Sequence, residues 1–172
     1  MLKSTLAALP LLLALAGVAE AQMVSVALKS AEGADAGSVT ITESPAGVLV
    51  HVEAKGLTPG WHAMHFHDKG DCADAKLANA GAHINMVDHK RQHGLLAVGG
   101  PDHGDLPNLY VAPDGTGRAE AFSTYVSLRN GGGRPVLLDA DGSALIIHAN
   151  PDDYTTQPIG GAGGRVACAV LK

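Results

Sequence analysis

The stretch that decides the fold is SVTITESPAGVLVHVE, residues 38–53. Ser38-Val39-Thr40-Ile41-Thr42-Glu43 alternates polar and apolar side chains, and Val48-Leu49-Val50-His51-Val52-Glu53 keeps a period of two. Such alternation places one apolar face on a half-buried strand. Glu43-Ser44-Pro45-Ala46-Gly47 between the two runs has the composition of a turn. Outward from this pair the punctuation repeats, with Thr58-Pro59-Gly60, Pro113-Asp114-Gly115-Thr116-Gly117 and Asp139-Ala140-Asp141-Gly142 marking further turns. Helical periodicity is scarce. Short strands closely spaced by glycine turns predict an all-β sandwich or flattened barrel. Two segments break the rhythm, residues 69–107 and 150–164. Connections of that length in a compact domain are expected to be functional loops or to need something that holds them. No internal repeat is present, and Gly131-Gly132-Gly133 is the one low-complexity tract.

The first residues point to export. Lys3 precedes an apolar run over residues 6–18, and Ala19-Glu20-Ala21 has the small-x-small form that signal peptidase cuts, so residues 1–21 read as a signal peptide cleaved before Gln22. An uncleaved anchor is the alternative, but the run is short for a bilayer. The remaining residues 22–172 suit one domain with a continuous core. Loss of Lys3 and Glu20 leaves the formal charge at −5, which offers no basic patch for nucleic acid or for an anionic membrane. Two cysteines in an exported chain, Cys72 and Cys168, read as one disulfide. Closing so long a loop is worth roughly 4–5 kcal/mol in the chain-entropy account.

Three of the nine histidines fall in Trp61-His62-Ala63-Met64-His65-Phe66-His67. On a strand, His65 and His67 share one face, and His62, Met64 and Phe66 take the other. Alpha carbons two positions apart are separated by roughly 6–7 Å, a span from which two imidazoles converge on one metal ion. His62 is the poorer partner and is expected to pack or to make a structural hydrogen bond. The first long loop adds His83, His89, His93 and His103 with Asp102 and Asp105, and Ile146-Ile147-His148 ends a strand before the second loop. Histidine with carboxylate suits zinc, and several histidines suit copper as well. The plainer reading is a solvated loop with scattered histidines.

Taken in order, His65-Phe66-His67, Gly81-Ala82-His83-Ile84-Asn85, His93-Gly94-Leu95-Leu96, Gly104-Asp105-Leu106-Pro107-Asn108-Leu109, His148-Ala149-Asn150-Pro151-Asp152-Asp153-Tyr154 and Gly163-Gly164-Arg165-Val166-Ala167-Cys168 resemble the bacterial periplasmic copper-zinc superoxide dismutases. The resemblance runs over residues 23–172. It implies a Greek-key β-sandwich or flattened barrel, the Ig-like architecture general to that family. It implies copper on His65, His67, His83 and His148, with His83 shared with zinc, and zinc also on His93 and Asp105. Asp152 matches an aspartate that accepts hydrogen bonds from one copper histidine and one zinc histidine, here His65 and His93. Such outer carboxylates fix ring orientation and ligand basicity. Cys72 and Cys168 match the family disulfide, which pins the metal loop to the last strand. Arg165 matches an arginine beside the copper, whose guanidinium attracts a small anion and donates hydrogen bonds to it. Lys69 and Lys90 read as solvated surface charge rather than as part of that field.

The implied reaction is disproportionation of superoxide to oxygen and hydrogen peroxide, with Arg165 and His83 as catalytic groups. Three departures from the family pattern lie near zinc. Where the common bacterial form is Gly-Pro-His-Ala-Gly-Asp, this chain has Gly100-Pro101-Asp102-His103-Gly104-Asp105. On the family's backbone path Asp102 occupies the ligand position, whereas a one-residue adjustment presents His103. A neutral imidazole keeps the usual ligand set and tips the expectation slightly to His103. The spacing from His83 to His93 is longer than usual by two residues, which makes Asp88-His89 an insertion with His89 in solvent, and Met86 stands where proline is common. A copper- and zinc-binding periplasmic module without turnover is the alternative function. A zinc hydrolase fits less well, because it needs an open water position. Family members are often dimers, so a homodimer is among the assemblies implied.

Overall fold

The computed structural model describes residues 22–85, 91–129 and 131–172. The expected signal peptide, residues 1–21, and the expectations on Met86, Asp88, His89 and Lys90 lie outside the described residues. Nine strands follow in chain order: β1 (Met23–Ser30), β2 (Asp35–Ser44), β3 (Gly47–Ala54), β4 (Gly60–His62), β5 (Met64–His67), β6 (Leu109–Val111), β7 (Gly117–Ser123), β8 (Ser143–His148) and β9 (Arg165–Leu171). Among the described residues the helical content is a single turn, Ala78–Ala80.

The strands form one antiparallel sheet in the order β4-β6-β7-β3-β2-β1-β9-β8-β5, curled into a nearly closed barrel. Hairpins join β1 to β2 and β2 to β3, whereas the chain leaves β3 for β4 and β7 for β8 across intervening strands, as a Greek key requires. The decisive stretch forms β2 and β3, paired in register from Gly37 opposite Ala54 to Ser44 opposite Gly47. Val39, Ile41, Val48, Val50 and Val52 point inward and are almost fully buried.

WHAMHFH departs from the single strand expected of it. The ladder breaks at Ala63, so β4 pairs with β6 at one end of the sheet order while β5 pairs with β8 at the other. Two bonds hold the break, Ala63 N to the Asn150 carbonyl at 2.9 Å and His148 N to the Ala63 carbonyl at 2.9 Å. One run of chain therefore belongs to both ends of the sheet and brings them together. The alternation survives within β5. Met64 and Phe66 enter the core with no exposed surface, roughly 1.5–3 kcal/mol of burial each, and His65 and His67 take the opposite face.

The long loops lie over that face. Ile84 N donates to the Phe66 carbonyl at 2.9 Å and Phe66 N to the Gly104 carbonyl at 2.8 Å, which sets His83 opposite His67 and Asp105 opposite His65. The approach is so close that a Cβ on residue 104 would fall 2.2 Å from the Phe66 carbonyl oxygen, so only glycine fits. Cys72 and Cys168 are joined, tying the first loop to β9 across 96 positions of sequence.

Candidate metal centre

Four histidines converge from three directions: His65 and His67 from β5, His83 from the first loop and His148 from the end of β8. A register shift between Ile147 and His148 aims the last of these and sets it opposite Arg165. The partners of each ring fix its tautomer. His67 Nδ1 donates to the Gly81 carbonyl at 3.0 Å, His148 Nδ1 to the Gly163 carbonyl at 3.3 Å, and His65 Nε2 to Asp152 Oδ2 at 2.9 Å. The opposite ring atoms, His65 Nδ1, His67 Nε2 and His148 Nε2, together with His83 Nε2, are buried without a hydrogen-bond partner among the described residues. Buried nitrogens left in this way need a partner, and a metal ion supplies one. Burial pushes His67 down to about 2, His148 to about 3 and His65 to about 4, the last against an upward pull from Asp152. Neutral rings of this kind present lone pairs at neutral pH, the state that binds metal.

A second group lies on the other side of His83. His83 Nδ1 is 3.6 Å from Asp102 Oδ2 and 3.7 Å from Asp105 Oδ1. His93 Nδ1 is 3.8 Å from the same Asp102 oxygen and 2.9 Å from the same Asp105 oxygen. Tetrahedral zinc with ligands at about 2.0–2.2 Å has edges of about 3.3–3.6 Å between ligand atoms. Three of these separations, 3.6–3.8 Å, lie near such edges, and the His93–Asp105 pair is closer at 2.9 Å. Burial lowers the His93 ring, but the Asp105 and Asp152 carboxylates outweigh it and lift His93 to about 10, as expected where two negative groups surround a place for positive charge. Asp152 links the groups, with Oδ2 also 3.0 Å from His93 Nε2. Burial raises its pKa, yet His65 and His93 hold it well below the usual carboxylate range.

The two neighbouring candidates, Asp102 and His103, take different directions. Asp102 turns its carboxylate toward His83 and His93, whereas the His103 ring stands edge-on to Tyr125 with centroids 6.5 Å apart. The loop keeps its register because Arg91 Nε donates to the Pro101 carbonyl at 2.6 Å and Asp102 N to Asp105 Oδ2 at 2.9 Å. His62 stays out of both groups, its Nδ1 donating to the His148 carbonyl at 2.7 Å and its Nε2 lying 2.8 Å from the Thr58 carbonyl. Lys69 is exposed.

A cavity of about 310 Å³ opens onto the first group, lined by His67, His83, His148, Asp102, Ile159 and Arg165 among others. Arg165 is held there by the Leu77 and Gly81 carbonyls, each accepting at 2.5 Å. A larger groove of about 930 Å³ lies beside the disulfide and has no histidine in its lining, so chemistry rather than size selects the smaller one. No role for Asn85, Asn108 or Gly160 was legible in the sequence. Asn108 clasps the Asp152 backbone through two bonds of 2.9 Å, and Gly160 packs against the Asp152 carboxylate. A glycine among loop residues was the visible signal for the last.

The family model for copper/zinc superoxide dismutase (SODC) matches residues 35–171. A superoxide dismutase [Cu-Zn] of Caulobacter vibrioides is 58% identical over 145 residues, 84% of this chain and 83% of that protein. Among solved structures, a SOD-like protein from Bacillus subtilis superposes with a TM-score of 0.80 at 37% identity, covering 86% of this chain and 97% of the other. The Cu/Zn superoxide dismutase from Brucella abortus gives 0.69 at 28% identity, over 88% and 100%. With the family model matched over most of the chain and a relative this similar, the chain belongs to the copper/zinc superoxide dismutase family.

Proposed function

We propose that the chain disproportionates two superoxide anions to oxygen and hydrogen peroxide. The observation that carries this reading is the set of four buried nitrogens, on His65, His67, His83 and His148, three of whose rings line one cavity together with Arg165. His65, His67, His83 and His148 hold copper; His83, His93, Asp105 and Asp102 hold zinc. Copper supplies one-electron exchange with the substrate, and zinc supplies fixed positive charge that holds the shared ring. Arg165 draws the anion in and donates hydrogen bonds to it, its planar head fixed by two carbonyls. His83 Nε2 is the atom that takes and returns a proton during turnover. Asp152 keeps the His65 and His93 rings oriented.

The test is the dismutase activity of residues 22–172, disulfide intact, after loading with copper and zinc and assay of both. Turnover with about one of each per chain is expected; full copper loading without turnover would favour a metal-binding module instead. We also propose that residues 1–21 direct export to the periplasm, with 22–172 as the single mature domain. A mature chain beginning at Gln22 in the periplasmic fraction is the expected result. A homodimer is proposed through Trp61 and Tyr110, whose paired rings on β4 and β6 are 55% and 49% exposed. Sedimentation of a Trp61→Ser, Tyr110→Ser variant is expected to give a monomer.

Two predictions arise from the site itself. Gly160 has φ +61°, and a Cβ there would lie 1.7 Å from Asp152 Oδ1 and 2.9 Å from His93 Nε2. Gly160→Ala must displace the carboxylate that orients both rings, so zinc affinity is expected to fall about 10- to 100-fold in competition with a chelator. The second concerns acid. His65, His67 and His148 titrate below their ordinary value in the folded chain, so the unfolded chain takes up protons first. Their stabilisation is complete above about pH 6.5 and is lost as pH falls from there toward 4. His93 acts oppositely, its contribution full below about pH 6.5 and lost as pH rises through about 10. Thermal unfolding of the metal-free chain is expected to show a midpoint that drops between pH 6.5 and 4; a flat profile there contradicts the burial argument.

A further inference from the structure

The two carboxylates facing His83 and His93 are built alike but held by different donors. Asp105 has Oδ2 occupied by two backbone donors, Gly94 N at 2.7 Å and Asp102 N at 2.9 Å, which leaves Oδ1 to face the histidines. Asp102 has Oδ1 occupied by the side-chain amide of Asn85 at 2.5 Å, which leaves Oδ2 to face the same two rings. The amide orientation is fixed by chemistry. Asn85 Nδ2 also lies 3.2 Å from the Arg91 carbonyl, and since that oxygen and Asp102 Oδ1 are both acceptors, the atom between them is the NH2 group. A carboxylate with one oxygen engaged by a donor cannot swing freely, and its remaining oxygen becomes a ligand of defined direction.

We infer that Asn85 is a positioning residue that makes Asp102 a ligand of the second metal, giving that position two histidines and two carboxylates. The inference rests on the reading of that position given above. The role is specific to an amide: an aspartate at 85 would set one carboxylate against another with no proton to share. It also accounts for the direction of the Asp102-His103 choice, because the hydrogen bond from Asn85 engages residue 102 and leaves His103 beside Tyr125. A divalent ion between two carboxylates has its charge balanced locally, and the oxygen-rich set favours zinc or cobalt(II) over copper more than three imidazoles do.

The test uses the copper-loaded chain 22–172 with four variants: Asp102→Ala, Asn85→Ala, the double variant, and Asn85→Asp. Zinc affinity is read by competition with a chromophoric chelator, and the ligand set by the visible absorption of cobalt(II) bound in place of zinc. Asp102→Ala is expected to lower zinc affinity more than about 100-fold, and Asn85→Ala about 10- to 100-fold. If Asn85 acts only through Asp102, adding Asn85→Ala to Asp102→Ala changes zinc affinity by less than about threefold. Copper binding is expected to persist in all four, with any loss far smaller than that of zinc. Asn85→Asp keeps the side-chain shape, so its loss of zinc affinity with an unchanged unfolding midpoint separates positioning from folding. Undiminished zinc affinity in Asp102→Ala overturns the ligand assignment itself. An equal loss from Asn85→Ala in both backgrounds, or a parallel loss of copper, leaves that assignment standing and overturns the positioning role.

Discussion

Replacing His83 by alanine is expected to abolish dismutase activity and to empty both metal positions together. His83 is set apart from the other histidines because its two ring nitrogens face two different groups of donors. Nε2 faces the nitrogens of His65, His67 and His148, and Nδ1 lies 3.6 and 3.7 Å from the carboxylates of Asp102 and Asp105. Its ring sits 4.1 Å from that of His65 and 5.0 Å from that of His93, centroid to centroid, so it forms the wall between the groups. Loss of an outer carboxylate in a metal site costs 10- to 100-fold in affinity or activity, and loss of a ligand common to two sites is expected to exceed about 100-fold in activity. The diagnostic is the pairing of losses. His83→Ala lowers copper and zinc content at once, whereas His148→Ala lowers copper and spares zinc. Full zinc retention in His83→Ala would falsify the shared-ring assignment.

The second large effect is on stability. Removing the bond between Cys72 and Cys168 by a double serine substitution releases a loop spanning 96 positions. In the chain-entropy account this costs about 4–5 kcal/mol, equivalent to roughly 10–20 °C in the unfolding midpoint of a domain this size. The loop so released carries Leu77 and Gly81, whose carbonyls hold the Arg165 guanidinium, and Gly81 also receives the His67 ring. The same variant is therefore expected to lose activity per bound copper at temperatures where it remains folded. Thermal unfolding and activity normalised to copper separate the two effects. An unchanged specific activity would show that Arg165 keeps its place without the covalent tie.

The sequence was informative wherever the relevant interaction is local or repeats with a short period. Alternation in residues 38–53 is a property of neighbouring side chains, and β2 and β3 formed where it predicted. His65 and His67 share a face for the same reason. The meeting of His83, His93, His148 and Asp105 with them was implied only by resemblance, since nothing in the spacing says which loops lie over β5. The break at Ala63 was hidden because it depends on two partners, β6 and β8, that are remote in sequence. Asp102 and His103 differ by one step along the chain. The direction of the Asp102 carboxylate is set by Asn85, Arg91 and the Asp105 carboxylate, a network that spans a loop and leaves no mark at residues 102 and 103 themselves. The need for glycine at 160 likewise arises from a carboxylate eight residues away.

The interruption at Ala63 also governs how the molecule meets others of its kind. A curled sheet ordinarily ends in two exposed strands whose unused amides and carbonyls invite a neighbouring chain to add on. Here the first and last staves are consecutive pieces of one backbone, and the outer side of β5 is already bonded to Ile84 and Gly104 of the loop above it. The rim that carries the histidines thus presents no bare β5 template among the described residues. Metal held between β5, β8 and that loop would fasten the cover in place, so the metal-free chain is expected to aggregate more readily than the loaded one.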